Sequence, residues 1–85
     1  MPRYYFDIHQ NLEFYRDSDG SDFANDAEAK MGAVRRMTEV LGALKDLGSE
    51  TRIIMVAARR KGEAEPFTVI SSRITLLDQS GPQSK

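Results

Sequence analysis

The sequence predicts an α+β fold: a two-layer ββαββ domain with a four-stranded antiparallel sheet, strand order 2-1-3-4, and one long helix packed on one face; a right-handed crossover placing the third strand parallel to the second is the competing arrangement. Three observations carry this reading. Residues 3–16 alternate side-chain character with a period of two. Apolar residues between 27 and 47 recur at spacings of three and four. Two further apolar, β-branched runs follow the glycine at position 48. A chain of 85 residues and 9.6 kDa is expected to be a single domain. A chain of that mass buries about 64% of its extended surface on folding, which supports one modest two-layer core.

The first strand is read over Pro2–His9, with Tyr4, Phe6 and Ile8 on one side and Tyr5, Asp7 and His9 on the other. Gln10-Asn11 is the expected two-residue turn, and Leu12–Arg16 pairs back as a hairpin. Asp17–Asp22 is a polar turn in which Asp19-Gly20 is the bend, because glycine takes positive φ without a Cβ clash. Asn25, with Glu28 three residues on, resembles a capping box, with Asp26 as the alternative cap, and Asp26 and Glu28 meet the positive end of the helix dipole. Phe23 is placed to pack back on Met31 or its neighbours.

The helix is expected from about Ala27 to Leu47, stopped by Gly48. Its buried stripe is read as Ala27, Met31, Val34, Met37, Leu41 and Leu44, widened by Ala33, Val40 and Leu47. Gly32 and Gly42 each weaken the helix by about 1 kcal/mol, so close approach to the sheet is expected at one of them. The third strand, Arg52–Arg59, is apolar on both sides: Ile53, Met55 and Ala57 on one, Ile54, Val56 and Ala58 on the other. One helix covers only one face of such a sheet, so a partner subunit is expected over the second. Arg60–Pro66 is a turn, and Phe67–Leu77 is the last strand, with a bulge expected near Ser71-Ser72. The folded unit is assigned to residues 1–78, and a disordered polar tail with Gly81 and Pro82 to 79–85.

Composition narrows the function. Twelve basic against thirteen acidic residues leave a net charge of -1, with no bulk positive field for nucleic acid or membrane. Without cysteine there is no disulfide, thiol chemistry or Cys-ligated zinc, and one histidine cannot make a two-His metal site. No apolar run reaches membrane-spanning length, and no secretory hydrophobic stretch opens the chain, so a cytoplasmic location off the membrane is expected. There is no Gly-rich phosphate loop. No cofactor and no metal site is assigned.

Four groupings merit chemical reading. Asp17, Asp19, Ser21 and Glu28 fall at ligand positions of a calcium loop, but Asp22 stands where that loop needs glycine, so a solvated turn and helix cap is the preferred reading. Asp7 and His9, with Tyr15 across the hairpin, would be an acid/base set if gathered in a cleft. The interface reading of that region groups Tyr5, His9 and Tyr15 with Ile54 and Val56, since aromatics with polar tips suit interface cores. Arg59, Arg60 and Lys61 form a basic hairpin tip able to touch phosphates. Charge is also split along the chain. Residues 1–26 hold six acids and two bases, and residues 27–85 hold seven acids and ten bases, a division that can orient a partner.

The run Pro2-Arg3-Tyr4-Tyr5-Phe6-Asp7-Ile8-His9, with Asp17, Gly20, Phe23, Asn25 and an alanine-rich helix, resembles a small proteobacterial family common in rhizobia. That family is described only as a domain of unknown function, and the similarity spans about residues 2–77. Family members typically carry an Asp-Gly-like turn where Gln10-Asn11 stands, aspartate where Asn25 stands and glutamate where Gly32 stands. The resemblance implies no activity, cofactor or catalytic residue. In shape it is also similar to the small antitoxins that pair with messenger-RNA interferases. The expected function is a non-catalytic protein-interaction or regulatory module, homodimeric or bound to another small protein. The alternatives are an antitoxin-like nucleic-acid regulator using Arg59, Arg60 and Lys61, and a small enzyme using Asp7, His9 and Tyr15.

Overall fold

The computed structural model describes residues 1–44 and 51–75. In chain order the elements are β1 (Arg3–Gln10), β2 (Glu13–Tyr15), β3 (Ser21–Asp22), α1 (Asp26–Gly42), β4 (Arg52–Arg60) and β5 (Thr68–Ile74). The sheet runs β2-β1-β4-β5, with β3 also paired to β1, and every pairing is antiparallel. This is the expected α+β architecture and strand order, with one short strand added.

The added strand comes from the polar turn. β2 and β3 both lie along the outer side of β1, and residues 16–20 loop out between them. Gly20 sits at φ 76°, in the left-handed region, with its α-carbon against the Tyr5 and Arg3 side chains. The hairpin turn is one residue later than expected. Gln10 pairs with both Ile54 and Glu13, so β1 runs to Gln10 and the turn is Asn11-Leu12. Asn11 takes φ 56° and ties the turn to β4: its N–H donates to the Ile53 carbonyl, and its Oδ1 accepts the Ile53 N–H. β4 and β5 pair without interruption from Arg52↔Ile74 to Ala58↔Thr68, so no bulge lies at Ser71-Ser72. Leu76, Leu77 and the tail 79–85 lie outside the described residues.

Helix α1 starts as its sequence dictates. Asn25 is extended, and its Oδ1 accepts the Glu28 N–H at 2.9 Å. The buried face is the expected one in the second half of the helix and just past its end, where Met37, Val40, Leu41 and Leu44 meet the core, but not in the first half, where Ala27, Met31 and Val34 are exposed. Ala29, Gly32, Ala33 and Met37 are buried, while Met31 and Val34 are 57% and 44% exposed. The sheet already supplies bulk through Tyr4, Phe6, Ile8, Ile54 and Val56. The helix therefore meets it with small residues, so that the summed volumes fill the space at interior density. A Cβ on Gly32 would overlap the Phe23 ring, so Gly32 is the glycine that close approach requires; its neighbour is Phe23 rather than a strand. The helix ends at Gly42, short of the expected Leu47, and Leu47 and Gly48 lie outside the described residues. Among the described residues no helix is long and apolar enough to cross a membrane.

Candidate interaction site

Strand parity divides the sheet into two unlike faces. Even-numbered residues of β1 and β4 (Tyr4, Phe6, Ile8, Ile54, Val56 and Ala58) form the core under α1, packed by Phe23, Phe67, Ile70 and Ile74. Odd-numbered residues face the other way. There β4 contributes Ile53, Met55 and Ala57, flanked by His9 and Phe14 on one side and Val69 on the other. Phe14 and Val69 are each half exposed and Ile53 nearly so. The His9 and Phe14 rings lie 4.5 Å apart between centroids. An apolar band thus crosses the open face, and the described part of the chain leaves it uncovered.

One end of this face is closed by charge. Arg59 Nε donates to Asp7 Oδ2 at 2.7 Å, and both side chains are only 9% exposed. The guanidinium also lies 4.7 Å above the Tyr5 ring. Two desolvated charges persist together because each satisfies the other at charge-assisted hydrogen-bond distance. The hydrogen bond to Asp7 holds the Arg59 guanidinium more firmly protonated than usual, against the opposing effect of burial. Asp7 Oδ1 in turn accepts the Asp17 N–H at 2.9 Å. Asp17 then turns its own carboxylate onto three backbone amides, those of Phe6, Asp19 and Gly20. Partial burial pushes the Asp17 carboxyl upward, but those amides outweigh it and hold it below the ordinary carboxylate range. The looped-out segment is therefore pinned to the sheet by one acid from each side. Between this loop and α1 lies a groove of about 340 Å³ whose rim includes Asp19, Arg35, Arg36 and Glu39.

A second ionic knot joins the two layers. Asp26, in the first turn of α1, accepts the Tyr4 hydroxyl at 2.7 Å and Arg60 Nη2 at 2.5 Å. Arg60 and Tyr4 both hold the Asp26 carboxyl down, and the Asp26 hydrogen bond raises the Tyr4 phenol. Arg60 also reaches Glu63 at 3.1 Å and lies 4.5 Å over the Phe67 ring.

These positions redistribute the residues singled out from the sequence. Tyr5 and His9 lie on the open face as expected. Tyr15 does not: it pairs with Ile8 on the helix side, its hydroxyl donates to Glu13, and Phe14 takes the place opposite His9. The Asp7, His9, Tyr15 set is therefore not assembled, and Asp7 is engaged by Arg59. Ile54 and Val56 are fully buried beneath α1 and present no surface; the exposed side of β4 is the Ile53 side. Of the basic tip, Arg59 is buried on Asp7 and Arg60 is paired with Asp26 and Glu63, which leaves Lys61 as the exposed member. Asp17 and Asp19 belong to the loop, with the Asp17 oxygens engaged by amides instead of a cation. Phe14 and Val69 were not singled out from the sequence, whereas Ile53 and Met55 were named as one of the two apolar sides of β4 without a choice of which side stays open. For Ile53, Met55 and Val69 the available signal was parity shared with Tyr5 and His9 once β4 and β5 are laid antiparallel beside β1, and for Phe14 it was the pairing with His9 across the hairpin.

Among known proteins, residues 3–69 match the model of a family described as Domain of unknown function (DUF6894). No curated protein and no solved structure was found to match the chain.

Proposed function

The chain belongs to the DUF6894 family, and from that premise we propose that it is a non-catalytic protein-interaction module that works as a homodimer. The observation that carries this is the apolar band Ile53–Met55–Ala57 with Phe14 and Val69, on a sheet face opposite its only described helix. An uncovered apolar band of this kind is what protein contact surfaces use, and a second copy is the partner always present at matching concentration. Arg59 and Arg60 are each committed to acids of the same chain, which argues for a structural use of the basic tip over phosphate contact. The test is solution mass by light scattering behind size exclusion at two concentrations. Twice the 9.6 kDa chain mass at both supports the reading, and the single-chain mass at both overturns it.

A further inference from the structure

The two edges of the sheet are built differently. Along the outer side of β1 lie a three-residue and a two-residue strand, and between them Asp17 caps the Phe6 N–H. That edge offers no length of unpaired strand. On the opposite side β5 runs for seven residues with no proline, no bulge and one charge, Arg73. Among the described residues nothing pairs with its outer side. A long, regular edge with so little to block it is a template for pairing with another strand.

Parity settles which backbone groups that edge presents. The Lys61 N–H donates to the Arg3 carbonyl, and the Asn11 N–H to the Ile53 carbonyl. Odd-numbered residues of β4 therefore bond toward β1 and even-numbered ones toward β5, because antiparallel neighbours alternate in this way. The even-numbered β5 residues opposite them, Thr68, Ile70, Ser72 and Ile74, are bonded inward. The N–H and C=O groups of Val69, Ser71 and Arg73 point outward.

We propose that a second copy of this chain pairs its β5 antiparallel with this one, Ser71 against Ser71 and Val69 against Arg73 of the partner subunit. This register meshes all three outward residues at once, since 69 with 73 and 71 with 71 are all outward-bonding pairs. It also sets the two Arg73 guanidiniums away from each other, where direct opposition would repel. The two-fold axis stands perpendicular to the sheet. Both helices then lie on one side, and the two apolar bands join into one continuous open face on the other. The inference rests on the homodimer reading but places its contact at the β5 edge and not over the apolar band, which the dimer then presents as a doubled surface for another protein.

The test uses the full chain in the same light-scattering measurement. Ser71→Pro removes one outward N–H and leaves the inward ladder intact, as edge positions allow. It is expected to weaken the dimer on the order of tenfold or more while the thermal melt stays cooperative. Two variants at Val69 guard against a misfolded proline variant. Val69→Glu faces Arg73 of the partner subunit and is expected to tighten association several-fold, whereas Val69→Lys meets like charge and loosens it by a similar factor. A dimeric wild type that stays dimeric as Ser71→Pro, with both Val69 variants moving together, overturns the edge placement and leaves face-to-face packing. A wild type of single-chain mass overturns the homodimer reading itself.

Discussion

The carboxylate of Asp17 stands in for a missing strand beside Phe6. Its Oδ2 accepts the Phe6 N–H at 3.0 Å, at the point on the edge of β1 where β2 has ended and β3 has not begun. The Asp17 N–H is in turn held by Asp7. Asp17→Ala is expected to destabilise the fold by about 1–3 kcal/mol, because a partly buried amide loses its acceptor and the loop loses its tether. Asp17→Asn keeps an acceptor oxygen and is expected to cost less. Urea unfolding of the two variants checks the order, and equal stability of Asp17→Ala and wild type refutes the tether.

Acid should loosen the same contacts. Asp17 and Asp26 both have folded-state pKa values below their ordinary range, Asp17 through backbone amides that overcome its burial and Asp26 through Arg60 and Tyr4. The unfolded chain therefore binds more protons in this range, and stability rises with pH. Their contribution is complete above the unfolded value of about 3.9 and is lost as pH falls through the lower folded values. Urea midpoints at neutral pH and at successive acid values should decline below about pH 5. Asp17→Asn should flatten that decline. A wild-type midpoint unchanged down to pH 3 would contradict the assignment.

Two glycines of one helix should respond in opposite directions. Gly32→Ala places a methyl group against the Phe23 ring, and the overpacking is expected to cost about 1–3 kcal/mol, outweighing the gain in helix propensity. Gly42 has nothing within 4 Å of where a Cβ would stand, so Gly42→Ala is expected to stabilise by up to about 1 kcal/mol. Melting temperatures of the pair decide it, and shifts of the same sign would show that Phe23 is not what holds position 32 to glycine.

Breaking the buried pair should cost more than removing it. Asp7→Ala or Arg59→Ala leaves one charge desolvated without its partner, at an expected cost of about 3–5 kcal/mol. The double replacement Asp7→Leu with Arg59→Met is expected to lie well above the sum of those losses in stability. A double-mutant cycle of Asp7→Leu, Arg59→Met and their combination measures the coupling, and additive effects would mean that the pair contributes little.

The sequence by itself determined the order and kind of the main elements, because their signals are local. Period two in residues 3–9, the Asn25 side chain three residues before the Glu28 amide, and the turn glycines at 20 and 62 all act within a few residues. The direction in which one helix returns the chain favoured β4 antiparallel beside β1 over a parallel crossover beside β2, and the choice between them is made by the sheet itself. The open apolar face was legible only in part. Tyr5 and His9 were placed on the correct face and Tyr15 was not: with a two-residue turn at either 10–11 or 11–12 it falls opposite an even-numbered residue of β1, Phe6 or Ile8, on the helix side.

Packing across the sheet settles which side of the first half of α1 is buried, which face of β4 stays open and what becomes of Arg59. The spacings of three and four fit Ala29, Ala33 and Met37 as well as they fit Met31 and Val34. The choice between them is made by the volume of the rings already on the sheet, which no helical period encodes. Arg59 reads in sequence as part of a basic tip, yet its partner Asp7 lies 52 residues away. Its charge is committed by a contact that exists only once β1 and β4 are side by side, and a pairing made across that distance is invisible to any local pattern.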